Sequence, residues 1–164
     1  IIVMIIVGNQ RKLIRLLAIV SLLIFFLPFF QTCSDKSIKE DSFIFKSYSG
    51  AETETEKERS FQEAREHFTL SGYELAMSFE PIFIGFTLTM IINIAVLVCF
   101  YRRHYNQLFL CFLNAFIILL SLIILFFSLP NLGQIRYGLY LSVINSFMLL
   151  YFVYREQETN NGIK

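Results

Sequence analysis

The chain has 164 residues, a formal net charge of +1 and a mean hydropathy of +0.59, with 55% hydrophobic residues, 19 Phe and no Trp. A soluble domain would spread its apolar residues at helical or strand spacing, whereas here they stand in uninterrupted blocks, the composition of a polytopic membrane protein. The acids are segregated too: eleven of 13 lie between Asp35 and Glu80, a segment whose charge disfavours nucleic acid as a partner.

The sequence opens Ile-Ile-Val-Met, so Met4 is a candidate start, and residues 1–12 read as a short cytoplasmic segment. Residues 13–32 form the first predicted span, of about 20 residues, enough for a helix to cross ~30 Å of hydrocarbon. Arg11, Lys12 and Arg15 flank its start, with Arg15 close enough to the end to snorkel into the headgroups. Pro28 falls near the far end, where a proline bends or stops a helix at modest cost. A basic flank, an apolar core and Cys33 just beyond also fit a secretory or lipoprotein signal. Bacterial lipoprotein signals favour a small residue before the modified Cys and Leu two residues earlier, and Thr32 and Phe30 depart from that pattern. A retained anchor is the favoured reading; lipidation of Cys33, or an intermolecular disulfide through it, is the alternative.

Residues 33–81 form the predicted extracytoplasmic loop. Residues 42–50 alternate weakly and stop at Gly50, as a short strand would. Residues 52–68 place Phe61, Ala64 and Phe68 at steps of three and four among charged residues, an amphipathic helix with a thin apolar stripe. Arg59 and Glu63 sit one turn apart on it, spaced for an ion pair. Ser71-Gly72 breaks that pattern, and Glu80-Pro81 opens the next span.

Spans two, three and four are predicted at 82–101, 108–129 and 135–154. A cytoplasmic turn at 102–107 and an outer turn at 130–134, marked by Pro130, Asn131 and Gly133, connect them. The polar tail, 155–164, is predicted to be disordered. Arg11, Lys12, Arg15, Arg102, Arg103, Arg155 and Lys164 fall close to the span ends on one side in this arrangement; the other side has Arg136 in its short turn and six Lys/Arg in the long loop, where they are diluted over its length and outnumbered by acids. That asymmetry places both termini inside. Six of the eight tyrosines lie near the predicted boundaries, as an aromatic belt would.

Each span carries a stripe of small or polar residues: Ala18 and Ser21; Gly85, Thr89 and Asn93; Gln107, Asn114, Ser121 and Ser128; Gly138, Ser142, Asn145 and Ser146. Steps of three, four and seven keep a stripe on one helical face, and such faces turn away from lipid toward one another. In antiparallel packing Ser21, Asn93, Asn114 and Asn145 reach a common depth. Interhelical hydrogen bonding is the favoured role of this layer. An ion or ligand site is the alternative, disfavoured because coupled transport relies on an intramembrane ionisable group.

No constellation supports chemistry. Cys33, Cys99 and Cys111 are far apart, without the paired thiols of a disulfide oxidoreductase. Glu63 and His67 are four residues apart, but two ligands make a poor metal site. Arg102, Arg103 and His104 suit topology signalling better than headgroup binding. No phosphate-binding glycine motif or nucleophilic triad stands out. No catalytic residue, metal or cofactor is expected.

Leu27-Pro28-Phe29 followed by Cys33-Ser34, together with Leu70-Ser71-Gly72-Tyr73-Glu74-Leu75-Ala76, resembles small uncharacterised bacterial four-span membrane proteins. The resemblance covers residues 20–80 and implies a bacterial origin and four spans, but no activity. The expectation is therefore an all-α membrane protein: a four-transmembrane-helix bundle with an outer loop of ~47 residues, set in the bacterial inner membrane. Its expected role is that of a non-enzymatic interaction or accessory subunit, with the lipid bilayer around it and a protein partner at the outer loop. The alternative is a small homo-oligomeric transporter or pore lined by Asn93, Asn114 and Asn145.

Overall fold

The computed structural model describes residues 2–33, 35, 38, 54–78, 80–102, 107–128 and 134–162. The strand predicted at 42–50 and most of both short turns lie outside the described residues. Among the described residues nine elements follow in order: α1 (Ile2–Ile24), β1 (Pro28–Gln31), α2 (Glu54–His67), β2 (Thr69–Ser71), α3 (Gly72–Met77), α4 (Ile84–Arg102), α5 (Gln107–Ser128), β3 (Gln134–Ile135) and α6 (Tyr137–Gly162). The chain is mostly helical. Among the described residues three helices, α4, α5 and α6, are long and apolar enough to cross a membrane.

The first predicted span changes character. Helix α1 begins earlier than residue 13 and ends at Ile24, not at Thr32. Phe25, Phe26 and Leu27 donate to the carbonyls three residues back, tightening the last turn. Pro28 has no N–H to continue the helix and pushes Leu27 out of the helical region. The chain then runs extended through Pro28–Gln31. A proline fits the first position of a strand, and the half-buried Pro28 followed by three buried residues reads alike as helix or strand by periodicity.

Strand β1 is the centre of a three-stranded antiparallel sheet, flanked by β2 and β3. Phe30 faces Leu70 on one side and Ile135 on the other, and Gln31 faces Thr69 and Gln134. The register slips between Pro28 and Phe30, so Phe29 sits at a bulge. An all-α description therefore misses a small sheet that ties together the segments after α1, before α3 and before α6. Ser71 is both the end of β2 and the N-cap of α3, where a reciprocal capping box with Glu74 fixes the turn.

Phe29 is the point where sheet and helices meet. Its ring is fully buried, 5.2 Å from Phe25 and 5.9 Å from Phe86 by ring centroids. Two glycines allow this depth. A Cβ on Gly72 would stand 2.8 Å from the Phe29 ring, and one on Gly138 would stand 2.6 Å from the Pro28 carbonyl oxygen.

The long helices pack in a cycle: α1 against α4 and α6, α4 against α5, and α5 against α6. Two apolar clusters fill the middle. The one at the sheet end includes Phe25, Phe29, Phe86, Ile118 and Leu139; the other includes Ile14, Val96, Cys111 and Leu149. Their outward faces carry Leu16, Leu23, Phe112, Phe127, Ile144 and other exposed apolar side chains. Such continuous exposed apolar surface is foreign to monomeric soluble proteins and natural against lipid tails.

The tail predicted to be disordered is instead the last part of α6, helical to Gly162. Glu156 is buried there and accepts a hydrogen bond from Arg11 Nε at 2.5 Å. The helix continues because α1 extends beside it and supplies a partner for its carboxylate, a contact that polarity along the tail does not reveal.

Candidate functional site

Two polar assemblies stand out, one between the apolar clusters and one at the sheet. The predicted layer residues are all buried within the helices of a single chain. Asn145 Nδ2 on α6 donates to Ser21 Oγ at 2.5 Å and to the Leu17 carbonyl at 3.2 Å, both on α1. At the next residue of α6, Ser146 Oγ accepts a hydrogen bond from Asn114 Nδ2 on α5 at 3.1 Å. Adjacent residues of α6 thus reach two different helices. Two other hydroxyls of the stripes, on Thr89 and Ser121, donate to carbonyls four residues back in their own helices.

Asn93 on α4 differs. Its Oδ1 and that of Asn114 are buried without a hydrogen-bond partner. Gly85 sets the approach of these two helices, since a Cβ there would stand 2.1 Å from Ser121 Oγ. Eight residues on from Gly85 and seven back from Ser121, about two turns each, Asn93 and Asn114 come to the same level. The layer can align helices, and it contains no charge. Of the arginines near the helix ends, Arg15 lies over the Tyr101 ring, 5.5 Å from its centroid, and Arg136 belongs to the sheet.

The second assembly was not anticipated as a unit. Arg136, directly after β3, donates through Nη2 to Gln31 Oε1 and, at 2.9 Å, to Asp35 Oδ1. Gln31 Nε2 donates to the same carboxylate oxygen at 3.0 Å and to the Cys33 carbonyl at 2.5 Å. Arg65 on α2 adds its Nε at 3.6 Å from Asp35. Burial alone would raise the Asp35 carboxyl; the Gln31 hydrogen bond and the Arg136 and Arg65 charges outweigh it and hold the group below its ordinary value of 3.8. Two signals in the sequence pointed here: Gln31 is a polar residue in an apolar run, and Arg136 is the only base of its turn.

This cluster borders a cleft of about 410 Å³ between α2 and the sheet end of the helices, lined among others by Phe26, Arg65, Glu66, Glu74, Arg136 and Tyr137. An apolar groove of about 640 Å³ lies elsewhere, between α5 and α6. Helix α2 itself turns Ala64 inward and leaves Arg59, Glu63 and Glu66 exposed, with Arg59 Nε 3.2 Å from Glu63 Oε1. His67 packs edge-on against Phe68. Among the described residues no three His, Cys, Asp or Glu side chains gather as a metal site would require. Cys33 is half-buried and Cys111 fully buried, both as free thiols. No protein-family model, curated protein or solved structure matches the chain. Fold and geometry together define the class: among the described residues, three helices long and apolar enough to cross a membrane, with a small three-stranded sheet and a charged helix at one end.

Proposed function

We propose that this is a non-enzymatic four-span protein of the bacterial inner membrane, both termini inside, whose cap holds a charged helix out for a protein partner. Helix α1 supplies the fourth span. The exposed Leu16 and Leu23 on it, with Phe26 just beyond its end, support this, since they continue the apolar surface of the other three helices. The observation that carries the docking role is the sheet. Three connections each contribute a short strand to it, and Arg65 ties α2 to the same cluster. That is far more fixing than a passive connection needs, and it leaves Arg59 and Glu63 presented on a braced helix.

Photocrosslinking in intact cells tests the docking role. A crosslinker at residue 62 should yield one discrete protein adduct, lost on Arg59→Glu together with Glu63→Lys, while insertion is unchanged. A crosslinker at the lipid-facing Phe116 should not give it. The same adduct from both positions, or one indifferent to charge reversal, would sink the docking role.

A second reading is a small oligomeric transporter, favoured by the two unpartnered amide oxygens of Asn93 and Asn114. It requires solute or ion flux in liposomes that Asn93→Leu abolishes while the folded protein is retained.

A further inference from the structure

The cleft under α2 has a composition that neither the helix assembly nor the docking face explains. It brings two guanidiniums, Arg65 and Arg136, and two carboxylates, Glu66 and Glu74, around one space of about 410 Å³. Its floor includes Phe26 and Tyr137, both largely exposed rings. Phe26 follows the last turn of α1 and Tyr137 begins α6, so both sit where an apolar helix gives way to polar chain. A tyrosine in such a position marks the headgroup level of a bilayer, and Phe26 adds an apolar ring beside it. The Phe26 ring also stacks on Tyr73 at 6.0 Å, extending the apolar rim.

The charges are only partly committed. Arg136 uses Nη2 for Gln31 and Asp35, and a guanidinium has five N–H donors. Arg65 reaches Asp35 only at 3.6 Å. Glu74 uses Oε2 for the capping box, and Glu66 is exposed. A ligand with a single negative charge would meet two carboxylates as well as two arginines. One carrying a phosphate and an ammonium a few ångströms apart would satisfy both pairs, with planar guanidinium donors suited to phosphate oxygens.

We propose that this cleft binds the headgroup of a zwitterionic phospholipid, with its phosphate at Arg65 and Arg136, its ammonium at Glu66 and Glu74, and its chains descending past Phe26 and Tyr137. The inference rests on the membrane-spanning part of the proposed function and is independent of the docking role. The same chemistry would admit a water-soluble phosphodiester headgroup, and a competition arm separates the two sources.

The full-length protein is reconstituted in nanodiscs of equal parts phosphatidylethanolamine and phosphatidylglycerol, re-extracted in mild detergent, and its retained lipid is quantified by mass spectrometry. The wild type should be enriched in phosphatidylethanolamine over the bulk ratio. Arg65→Gln should fall to the bulk ratio, and Glu66→Lys should reverse the preference toward phosphatidylglycerol. Glu63→Lys makes the same charge change on the same helix at a position outside the cleft lining, so it should keep the wild-type profile. Excess glycerophosphoethanolamine should displace the retained lipid if the headgroup alone is the ligand, and leave it in place if the chains are needed. A wild-type profile equal to the bulk mixture, or variants at Arg65 and Glu66 indistinguishable from wild type, would overturn the proposal. Alkaline carbonate extraction separates the two readings: release from the membrane would defeat the spanning reading, whereas retention with a flat lipid profile would defeat only this one.

Discussion

Replacing Gly138 by Ala tests how closely β1 is seated against α6. A Cβ at that position would stand 2.6 Å from the Pro28 carbonyl oxygen, 2.9 Å from Phe29 Cδ1 and 3.0 Å from Leu27 Cβ. Ordinary contact starts at 3.4 Å, so the strand must move from the helix by about 0.8 Å (3.4 − 2.6). The nearest obstacle is backbone and has no rotamer to change. The strand that carries it is held by β2 and β3, and by the Arg136 N–H bonded to the Phe29 carbonyl at 2.9 Å. Overpacking of this kind costs about 1–3 kcal/mol, and a backbone obstacle argues for the upper half of that range.

Gly85→Ala is the control. Its Cβ would stand 2.1 Å from Ser121 Oγ, worse as a distance but better as a situation, because the next atom is Ser121 Cβ at 3.2 Å. Removing the hydroxyl with Ser121→Ala therefore relieves most of the clash. Thermal unfolding in detergent can be followed with a fluorogenic maleimide on a Cys33→Ser, Cys99→Ser background, in which buried Cys111 reacts only on opening. Gly138→Ala should lower the midpoint in any background, whereas Gly85→Ala should lower it alone and recover most of it with Ser121→Ala. A Gly138→Ala protein melting with its parent would refute the close seating of the sheet.

Three further outcomes follow from the polar contacts. Asn145→Leu should destabilise the protein by roughly 1–2 kcal/mol through loss of the bonds to Ser21 and Leu17, whereas Asn93→Leu should be neutral or stabilising, because its buried oxygen has no partner to lose; the same thermal assay separates them. Since the folded Asp35 carboxyl titrates below its ordinary 3.8, its contribution is complete above that pH and drains away as pH falls through the lower folded value. The unfolding midpoint of wild type should accordingly drop more steeply than that of Asp35→Asn below about pH 4. Glu156→Ala should release the end of α6 from Arg11 at a cost under ~1 kcal/mol, since the arginine is half-exposed, and should speed tryptic cleavage after Arg155.

Much of the helical part was legible. The bounds of α4 and α5 and the start of α6 fall within about two residues of those read from the apolar runs, because twenty uninterrupted apolar residues leave a helix few alternatives. The polar layer was legible through spacing: Ser21 meets Asn145, and Asn114 meets the neighbouring Ser146. The split of that layer into two pairs, with Asn93 unpartnered, depends on side-chain reach across helices and has no trace in spacing. The capping box of Ser71 and Glu74 was written in the sequence as Ser-x-x-Glu, but hidden by reading Ser71-Gly72 only as a break.

The sheet was the least legible element for a physical reason. Its strands are four, three and two residues long, and none has the length to signal itself or to persist alone. They exist because packing of the helices delivers three connections to one place, where Phe29 can enter the core between Gly72 and Gly138. The dependence also runs the other way. Gln31 and Arg136 meet only once β1 and β3 have paired, and only then is Asp35 drawn in with Arg65 and α2 held over the cleft. Apolar helix packing builds the strand, the strand gathers the charges, and the charges orient α2; a change at Gly138, deep between helix and strand, should therefore be felt at Arg59 and Glu63 on its exposed face.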